Sequence, residues 1–357
     1  MPYKILTYDQ IDRTEWSRLV QSTSTGTWFQ TQEAFDFFNA QKEWFKPFAI
    51  AIEKSESRVE SRESRELRGV CVGYVTVEKN PLKQFLTRRA IIIGGPALAD
   101  DCINEEVLLL LSTLREQLST GANAPIYIES RNFNDYSRWK DAFASAGFEY
   151  KPHLNFHVDT SSTEVVEANL GKSRKRDIRT TIREGVSIKS IYDLRFQISD
   201  LERERLVREY YAILEKLYKT KVKTPLFPVE FFLELSKHKD ARFLLTELNS
   251  KIIGGTVCVA QEGKCLYEWF ACGEDGVYSH VFPSCYATYA GIRYAAEHNM
   301  PRFDMMGAGK PDEAYGVRDF KAKFGGKEVE HGRFLCVTKP LLYNMGVIGV
   351  KLLKKLK

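Results

Sequence analysis

Apolar positions along the chain recur with two spacings. Short runs rich in β-branched and aromatic residues, FAIAIEK (Phe48–Lys54) and the glycine-marked GVCVGYVTV (Gly69–Val77), predict adjacent strands. NEEVLLLLSTLREQL (Asn104–Leu118) carries the helical spacing, and APIYIES (Ala124–Ser130) returns to a short strand. The same order recurs later. FLLTELNSK (Phe243–Lys251) and IIGGTVCVA (Ile252–Ala260) predict paired strands, CYATYAGIRYAAEH (Cys285–His298) a helix, and PRFDMMG (Pro301–Gly307) a strand. In each half a further helix and a final strand complete the series.

This recurrence is visible residue by residue. WKDAFASAGFEYKPHLNFHVDT (Trp139–Thr160) aligns without a gap on VRDFKAKFGGKEVEHGRFLCVT (Val317–Thr338), an offset of 178 positions (317 − 139). Asp141 falls on Asp319, Gly147 on Gly325, His153 on His331 and Phe156 on Phe334. Two copies of a β-β-(β)-α-β-α-β unit follow, each a mixed sheet flanked by helices, of class α/β (α+β). The expected boundaries are 1–160 for the first domain, 161–340 for the second and 341–357 for a basic amphipathic tail. A polar segment (Ser55–Glu66) between the first pair of strands predicts a hairpin tip. Helical patterns at Leu201–Lys219 and Pro228–His238 lie between the halves.

Composition narrows the function classes. The 357 residues suit two domains, and 43% hydrophobic with 12% aromatic residues describes a globular chain. The net charge is only +5, so affinity for a polyanion must come from local clustering. Seven scattered cysteines form no C-x-x-C pair and six histidines form no metal-binding spacing, so no metal site and reduced thiols are expected. The first residues lack a signal-peptide core and no run of about 18 apolar residues occurs, which places the expected location in the cytoplasm.

Candidate chemistry gathers in three places. On a helix, Lys172, Lys175, Arg176, Arg179 and Arg183 of LGKSRKRDIRTTIREGV fall within an arc of roughly 100°. That arc is either a solvated face or a patch for the phosphates of a nucleotide, CoA or tRNA. Lys321, beside Phe320, occupies the slot that Phe143 fills in the sister copy, so the fold itself does not need a charge there. It is either an ammonium held near a reacting carbonyl, where it would stabilise an oxyanion, or a snorkelling surface lysine. Asp304 ends the strand before a loop bearing Lys310, Asp312 and Tyr315. GAGK in that loop lacks the first glycine and the Ser/Thr of a phosphate-binding loop and is not one. Tyr267, Glu268 and Trp269 share a strand of the same half, and core packing is expected for at least two of them. No dedicated general base is visible.

DFKAKFGGKEVEHGRFLCVTKP, SRKRDIRTTIREGV and FDMMG together resemble the FemXAB aminoacyltransferases, whose most specific signature, Phe-Lys-x-x-Phe-Gly, stands here as Phe320, Lys321, Phe324 and Gly325. The likeness runs from Thr27 to the final lysines. It implies two tandem GNAT-like domains, aminoacyl-tRNA as donor, and a UDP- or lipid-linked muramyl-peptide precursor as acceptor, bound in the first domain and the cleft between domains. No cofactor is implied. Lys321 would face the tetrahedral intermediate with Phe320 packed beside it. Substrate contacts are expected from Arg174, Arg176, Arg179, Tyr211, Lys221, Lys223, Trp269, Asp304, Tyr315 and Arg318. Lys221 or Lys223 stands where the family usually has an arginine, and the long helical arm of some members is missing. The competing readings are a GNAT-like N-acyltransferase using an acyl-CoA or acyl-carrier thioester, against which the usual Gln/Arg-x-x-Gly-x-Gly/Ala run is absent, and a membrane-surface binding protein. The lysine-rich tail either docks on anionic lipid at the inner face of the membrane or caps a core.

Overall fold

The computed structural model describes residues 3–56, 64–121, 124–222 and 224–355. The chain forms two compact units, residues 1–153 with 330–357, and residues 154–329. Most of the expected Ser55–Glu66 loop lies outside the described residues.

In the first unit the strands are β1 (Tyr3–Thr7), β2 (Phe45–Glu56), β3 (Ser64–Thr76), β4 (Ala90–Gly94), β5 (Ala97–Leu98), β6 (Tyr127–Asn132), β7 (Glu149–Lys151) and β15 (Arg333–Val337). They lie in the order β1-β2-β3-β4-β6-β15-β7, with β5 paired to β3. Helices α1 (Arg13–Ser22), α2 (Gln32–Asn39), α3 (Pro81–Thr87), α4 (Asn104–Ser119), α5 (Lys140–Ser145) and α12 (Pro340–Lys355) complete the unit. The second unit contains β8 (Leu154–Asp159), β9 (Ser187–Ser190), β10 (Ala241–Leu248), β11 (Lys251–Gln261), β12 (Cys265–Gly273), β13 (Arg302–Gly307) and β14 (Lys327–Glu330). Their order is β14-β8-β13-β12-β11-β10-β9. Its helices are α6 (Thr163–Asn169), α7 (Lys172–Arg183), α8 (Asp200–Leu217), α9 (Val229–Leu235), α10 (Pro283–Glu297) and α11 (Gly316–Ala322).

Both sheets are mixed, and each contains a parallel pair: β4 with β6, connected through α4, and β12 with β13, connected through α10. One core lines the α4–α5 face of the first sheet, a second lies under α1 and α2, and the α10 face of the second sheet carries its own. Fold class and repeat are as the sequence reads. The boundaries differ. The sequence reading leaves each final strand in its own half, but β8 joins the second sheet beside β13, and β15 inserts between β6 and β7 of the first. The tail is correspondingly a helix of the first unit. The aligned motifs share this geometry because the exchange is reciprocal: Phe334 of β15 stacks on Phe143 of α5 at 3.9 Å in the first core. Its counterpart Phe156 is buried in the second. Among the described residues, no helix is long and apolar enough to cross a membrane.

Because Phe334 belongs to the core of residues 1–153, Phe334→Ala is expected to destabilise that unit by about 3–5 kcal/mol. Limited proteolysis should then open sites within residues 3–153 and spare 154–329; cuts confined to the second unit would contradict the exchange.

Candidate active site

Lys321 lies on α11, which follows the loop after β13. Although lysine is almost never buried without partners, this one is only 9% exposed. Its Nζ donates to the backbone carbonyls of Met305 and, at 2.8 Å, Gly307. Those carbonyls are available because β13 is irregular there. The β12–β13 ladder runs only from Cys265–Arg302 to Tyr267–Asp304 and then stops. On the other edge, pairing with β8 shifts register between Asp304 and Gly307. Met306 sits at φ 57°, in the left-handed region that side chains rarely adopt. A bulge thus turns two carbonyls out of the ladder and towards one ammonium. The corresponding β4–β6 ladder of the first unit pairs five positions, Ala90–Ile128 to Gly94–Asn132.

The helix that carries Lys321 is held on both sides. Arg174 of α7 lies over the rings of Phe320 (4.5 Å) and Phe324 (4.9 Å), its charge met by Asp177 at 3.4 Å. Gly325 closes the turn at φ 78°, and a side chain there would run into the backbone carbonyl of Asn169. Arg318 donates to the carbonyls of Ala308 (3.2 Å), Lys310 and Pro311 (3.3 Å), which fixes the loop that Tyr315 closes over Gly309.

Three buried ionisable groups share this end of the sheet. Burial pushes the Lys321 ammonium below its ordinary range, while the charges of Glu268 and Asp304 pull it back up without restoring it. Burial pushes the Glu268 carboxyl up against the opposing charge of Lys321 and hydrogen bonds from Thr288 and Thr256. The Thr256 hydroxyl lies 3.2 Å from Glu268 Oε1. Asp304 is also fully buried, which alone would raise it. His157, whose Nε2 stands 3.2 Å from its Oδ2, together with Arg302 and the Met306 amide holds it below the usual carboxylate range instead.

Of the predicted residues, Lys321, Phe320 and Asp304 come together here, with Arg174, Arg318 and Tyr315 around them. Arg174, whose terminal nitrogens meet Asp177 and the Phe320 carbonyl while its buried Nε finds no hydrogen-bond partner among the described residues, and Arg318, which holds three loop carbonyls, visibly position α11. Arg176 and Arg179 lie on the outer face of α7, where Lys172, Lys175, Arg176, Arg179, Thr180 and Arg183 line an open concavity of about 460 Å³. Arg176 and Arg183 meet Asp177 (3.0 Å) and Glu184 (3.4 Å). Lys172, Lys175 and Arg179 make no ion pair among the described residues. Tyr211 is occupied in packing: its hydroxyl donates to the Phe227 carbonyl at 3.2 Å and its ring lies 5.3 Å from Phe232. Trp269, half-buried and expected to contact substrate, packs on Phe231 and Phe270. Lys221 is exposed and Lys223 lies outside the described residues. Two polar residues at the site were not singled out by the sequence reading. Glu268 enters the sequence reading only within the run Tyr267–Trp269, for at least two of which core packing is expected, yet a carboxylate inside a buried run of β12 is itself a signal. His157 falls in the aligned repeat, but its contact with Asp304 depends on the strand exchange.

The class of protein follows. Residues 172–321 match the family model described as Acetyltransferase (GNAT) domain, and the two sheets are those of tandem GNAT acyltransferases. The chain is an acyltransferase on that fold. Among solved structures it is similar to FemX, at 13% identity and TM-score 0.67 over 96% of this chain and 99% of that one. It is also similar to the C-terminal domain (DUF2156) of a protein assigned as a lysylphosphatidylglycerol synthetase of Agrobacterium fabrum, at 12% identity and TM-score 0.53 over 95% of each chain. A third likeness is to a tandem GNAT protein of the clavulanic acid biosynthesis pathway, at 7% identity and TM-score 0.50 over 94% and 98%. At these identities the likeness is one of fold. No curated protein sequence matches the chain.

The depressed ammonium has a signed consequence. A lysine whose folded pKa lies below its ordinary 10.5 is bound by fewer protons in the folded than in the unfolded chain across that window. Native stability attributable to Lys321 therefore rises with pH until 10.5 is passed. Wild type is expected to gain stability relative to Lys321→Met between neutral pH and pH about 10, read from paired urea titrations; a constant difference would mean that the ammonium is not strained by burial.

Proposed function

We propose that this chain is an aminoacyltransferase that moves an amino acid from aminoacyl-tRNA to an amine of a muramyl-peptide precursor, UDP- or lipid-linked, in the compartment where charged tRNA is made. The observation that carries this reading is the buried Lys321 ammonium at the interrupted β12–β13 ladder. There a cation in low dielectric is worth most to an oxyanion. The acceptor nitrogen attacks the ester carbonyl, forming the C–N bond, and the carbonyl oxygen becomes an anion stabilised by Lys321. Glu268, its proton affinity raised by burial, takes the proton released from the attacking nitrogen. Collapse breaks the ester C–O bond, and that proton leaves with the ribose hydroxyl, so ester and amine become amide and alcohol. No cofactor enters. The likeness to FemX and to the lysylphosphatidylglycerol synthetase domain supports a donor of this kind.

A specific observation favours tRNA over an acyl-CoA thioester. Single GNAT domains hold the CoA pyrophosphate on free amides at the N-terminus of the helix that crosses over between the parallel strands. Here that helix is α10, whose first residue is Pro283, without an N–H, and whose Ser284 amide is taken by Asp275 at 3.1 Å. In the first unit the start of α4 is likewise occupied: the Ile103 amide donates to Glu106 at 2.9 Å, with Glu105 beside it. A carboxylate on each helix start repels a pyrophosphate. The arc on α7 offers the alternative phosphate contact, along an RNA backbone.

Lys321→Met should lower turnover at least about tenfold with labelled aminoacyl-tRNA pools and purified precursors, the product being a precursor heavier by one residue. Glu268→Gln should lower turnover while leaving the donor's affinity alone. Undiminished turnover in Lys321→Met would remove the mechanism. For the donor, Lys175→Gln with Arg179→Gln should flatten the dependence of log affinity for tRNA on log salt by roughly 1.5, whereas acetyl-CoA should not raise the melting temperature. Stabilisation by acetyl-CoA with an unchanged salt slope would reverse the choice of donor.

A further inference from the structure

Two helices of the first unit expose apolar side chains that nothing in the described residues covers. On α12, Leu341 (82% exposed), Met345 and Ile348 follow one another at helical spacing on one side. Its first turn is anchored instead through Tyr343, whose ring meets that of Tyr127 at 5.7 Å. On α3, Leu82 (68% exposed), Phe85 and Leu86 are open in the same way. Isolated exposed hydrophobes need no explanation, but two clustered sets on two helices do.

The hydrogen bonds bring these helices to one edge of the unit. The chain leaves α3 at Arg88, whose carbonyl accepts from the Ile126 amide at 2.8 Å. The Ile126 carbonyl in turn accepts from the amides of Thr338 (3.0 Å) and Lys339 (3.1 Å), which lead into α12. Arg88, Ile126 and Lys339 thus stand near one another just beyond the ends of the adjacent strands β4, β6 and β15. The end of α3 and the start of α12 are therefore separated by about 10 Å, two strand spacings.

Both sets lie in basic stretches of the sequence, although Lys79 meets Glu43 at 3.0 Å. Residues 79–89 contain Lys79, Lys83, Arg88 and Arg89 and no acid. Residues 339–357 contain Lys339, Lys351, Lys354, Lys355 and Lys357 and again no acid. Exposed leucine, phenylalanine, methionine and isoleucine within stretches of chain rich in Lys and Arg are complemented by an acyl interior beneath negative headgroups. We infer that α3 and α12 form a composite surface by which this unit docks on an anionic bilayer. Both helices lie in the interface, and neither spans it. The inference does not rest on the transfer chemistry proposed for Lys321 and stands if that reading fails.

The full-length protein is floated with vesicles of phosphatidylcholine containing about 30% phosphatidylglycerol, and with phosphatidylcholine alone, at low and high salt. Wild type should float with the anionic vesicles at low salt, weakly with the neutral ones, and less at high salt. Two variants, Leu82→Glu with Phe85→Glu, and Leu341→Glu with Met345→Glu and Ile348→Glu, should each partition at least about tenfold less. All five positions are exposed, so both variants should keep the wild-type melting temperature, and that control separates lost docking from lost folding. Wild type staying at the bottom with anionic vesicles overturns the inference, as do variants that float like wild type. So does a wild type that elutes as a dimer, with monomeric variants and no vesicle binding, since the two sets would then cover each other's copy.

Discussion

The second unit is organised around one buried contact, the Lys321 ammonium on the carbonyls of Met305 and Gly307. Taking an ammonium out of water costs several kcal/mol even after relaxation. The bulge that aims those carbonyls also carries Met306 at positive φ, a further cost of order 1 kcal/mol. The structure offsets these penalties with two hydrogen bonds and with the nearby charges of Glu268 and Asp304. The sister copy has a solution without any of this. Phe143 occupies the equivalent place and stacks on Phe334 in a dry core. A charge maintained where a phenylalanine would pack is a burden to stability, and such burdens gather where chemistry is done.

The two halves have divided their tasks along the same strand geometry. In the first unit the parallel pair β4–β6 remains zipped for its full length. On the other side of β4, pairing with β3 covers only Tyr74–Ile91 and Val75–Ala90. Buried Gln30 spans the remainder: its amide donates to the carbonyls of Val72 (3.0 Å) and Ile93 (2.9 Å) and its oxygen accepts from the Val72 amide (2.8 Å). A side chain thereby substitutes for the missing ladder bonds and satisfies strand edges that burial would otherwise leave unpaired. In the second unit the shortened ladder is β12–β13, and the groups at its end are ionisable.

Much of this was legible because period and repeat are local properties of a sequence. Helices α4, α7, α8 and α10 and the paired strands of both halves fall within a few residues of their expected limits. The importance of Lys321 was legible for a different reason: an internal repeat supplies its own comparison, so Phe143 against Lys321 isolates the one position where core became charge. Strand exchange was not legible. β8 and β15 have the same alternation whichever sheet they join, and only the partners' edges decide. Arg174, outside the basic arc and expected to contact substrate through the resemblance, is turned inward by 100° per residue, onto Phe320 and Phe324. Glu268 was hidden by its neighbours, since Tyr267 and Phe270 do pack in the core and a strand reading assigns the run as a whole.

On the proposed reading, carboxylates at two helix starts bear on the choice of donor. A GNAT unit has a ready phosphate site wherever a crossover helix begins with free amides and a positive dipole end. Asp275 and Glu106 fill those starts with the protein's own anions, and Pro283 removes an amide outright. These caps stabilise α4 and α10, yet they also erase a compact pyrophosphate pocket. A donor held by phosphates must then be gripped by side chains, and Lys172, Lys175 and Arg179, without an ion pair among the described residues, run along a helix face. A row suits a ligand whose charges are themselves in a row: a nucleic-acid backbone meets that description and a single pyrophosphate does not. The helix cap, a local device of folding, thus bears directly on which donor the fold can take.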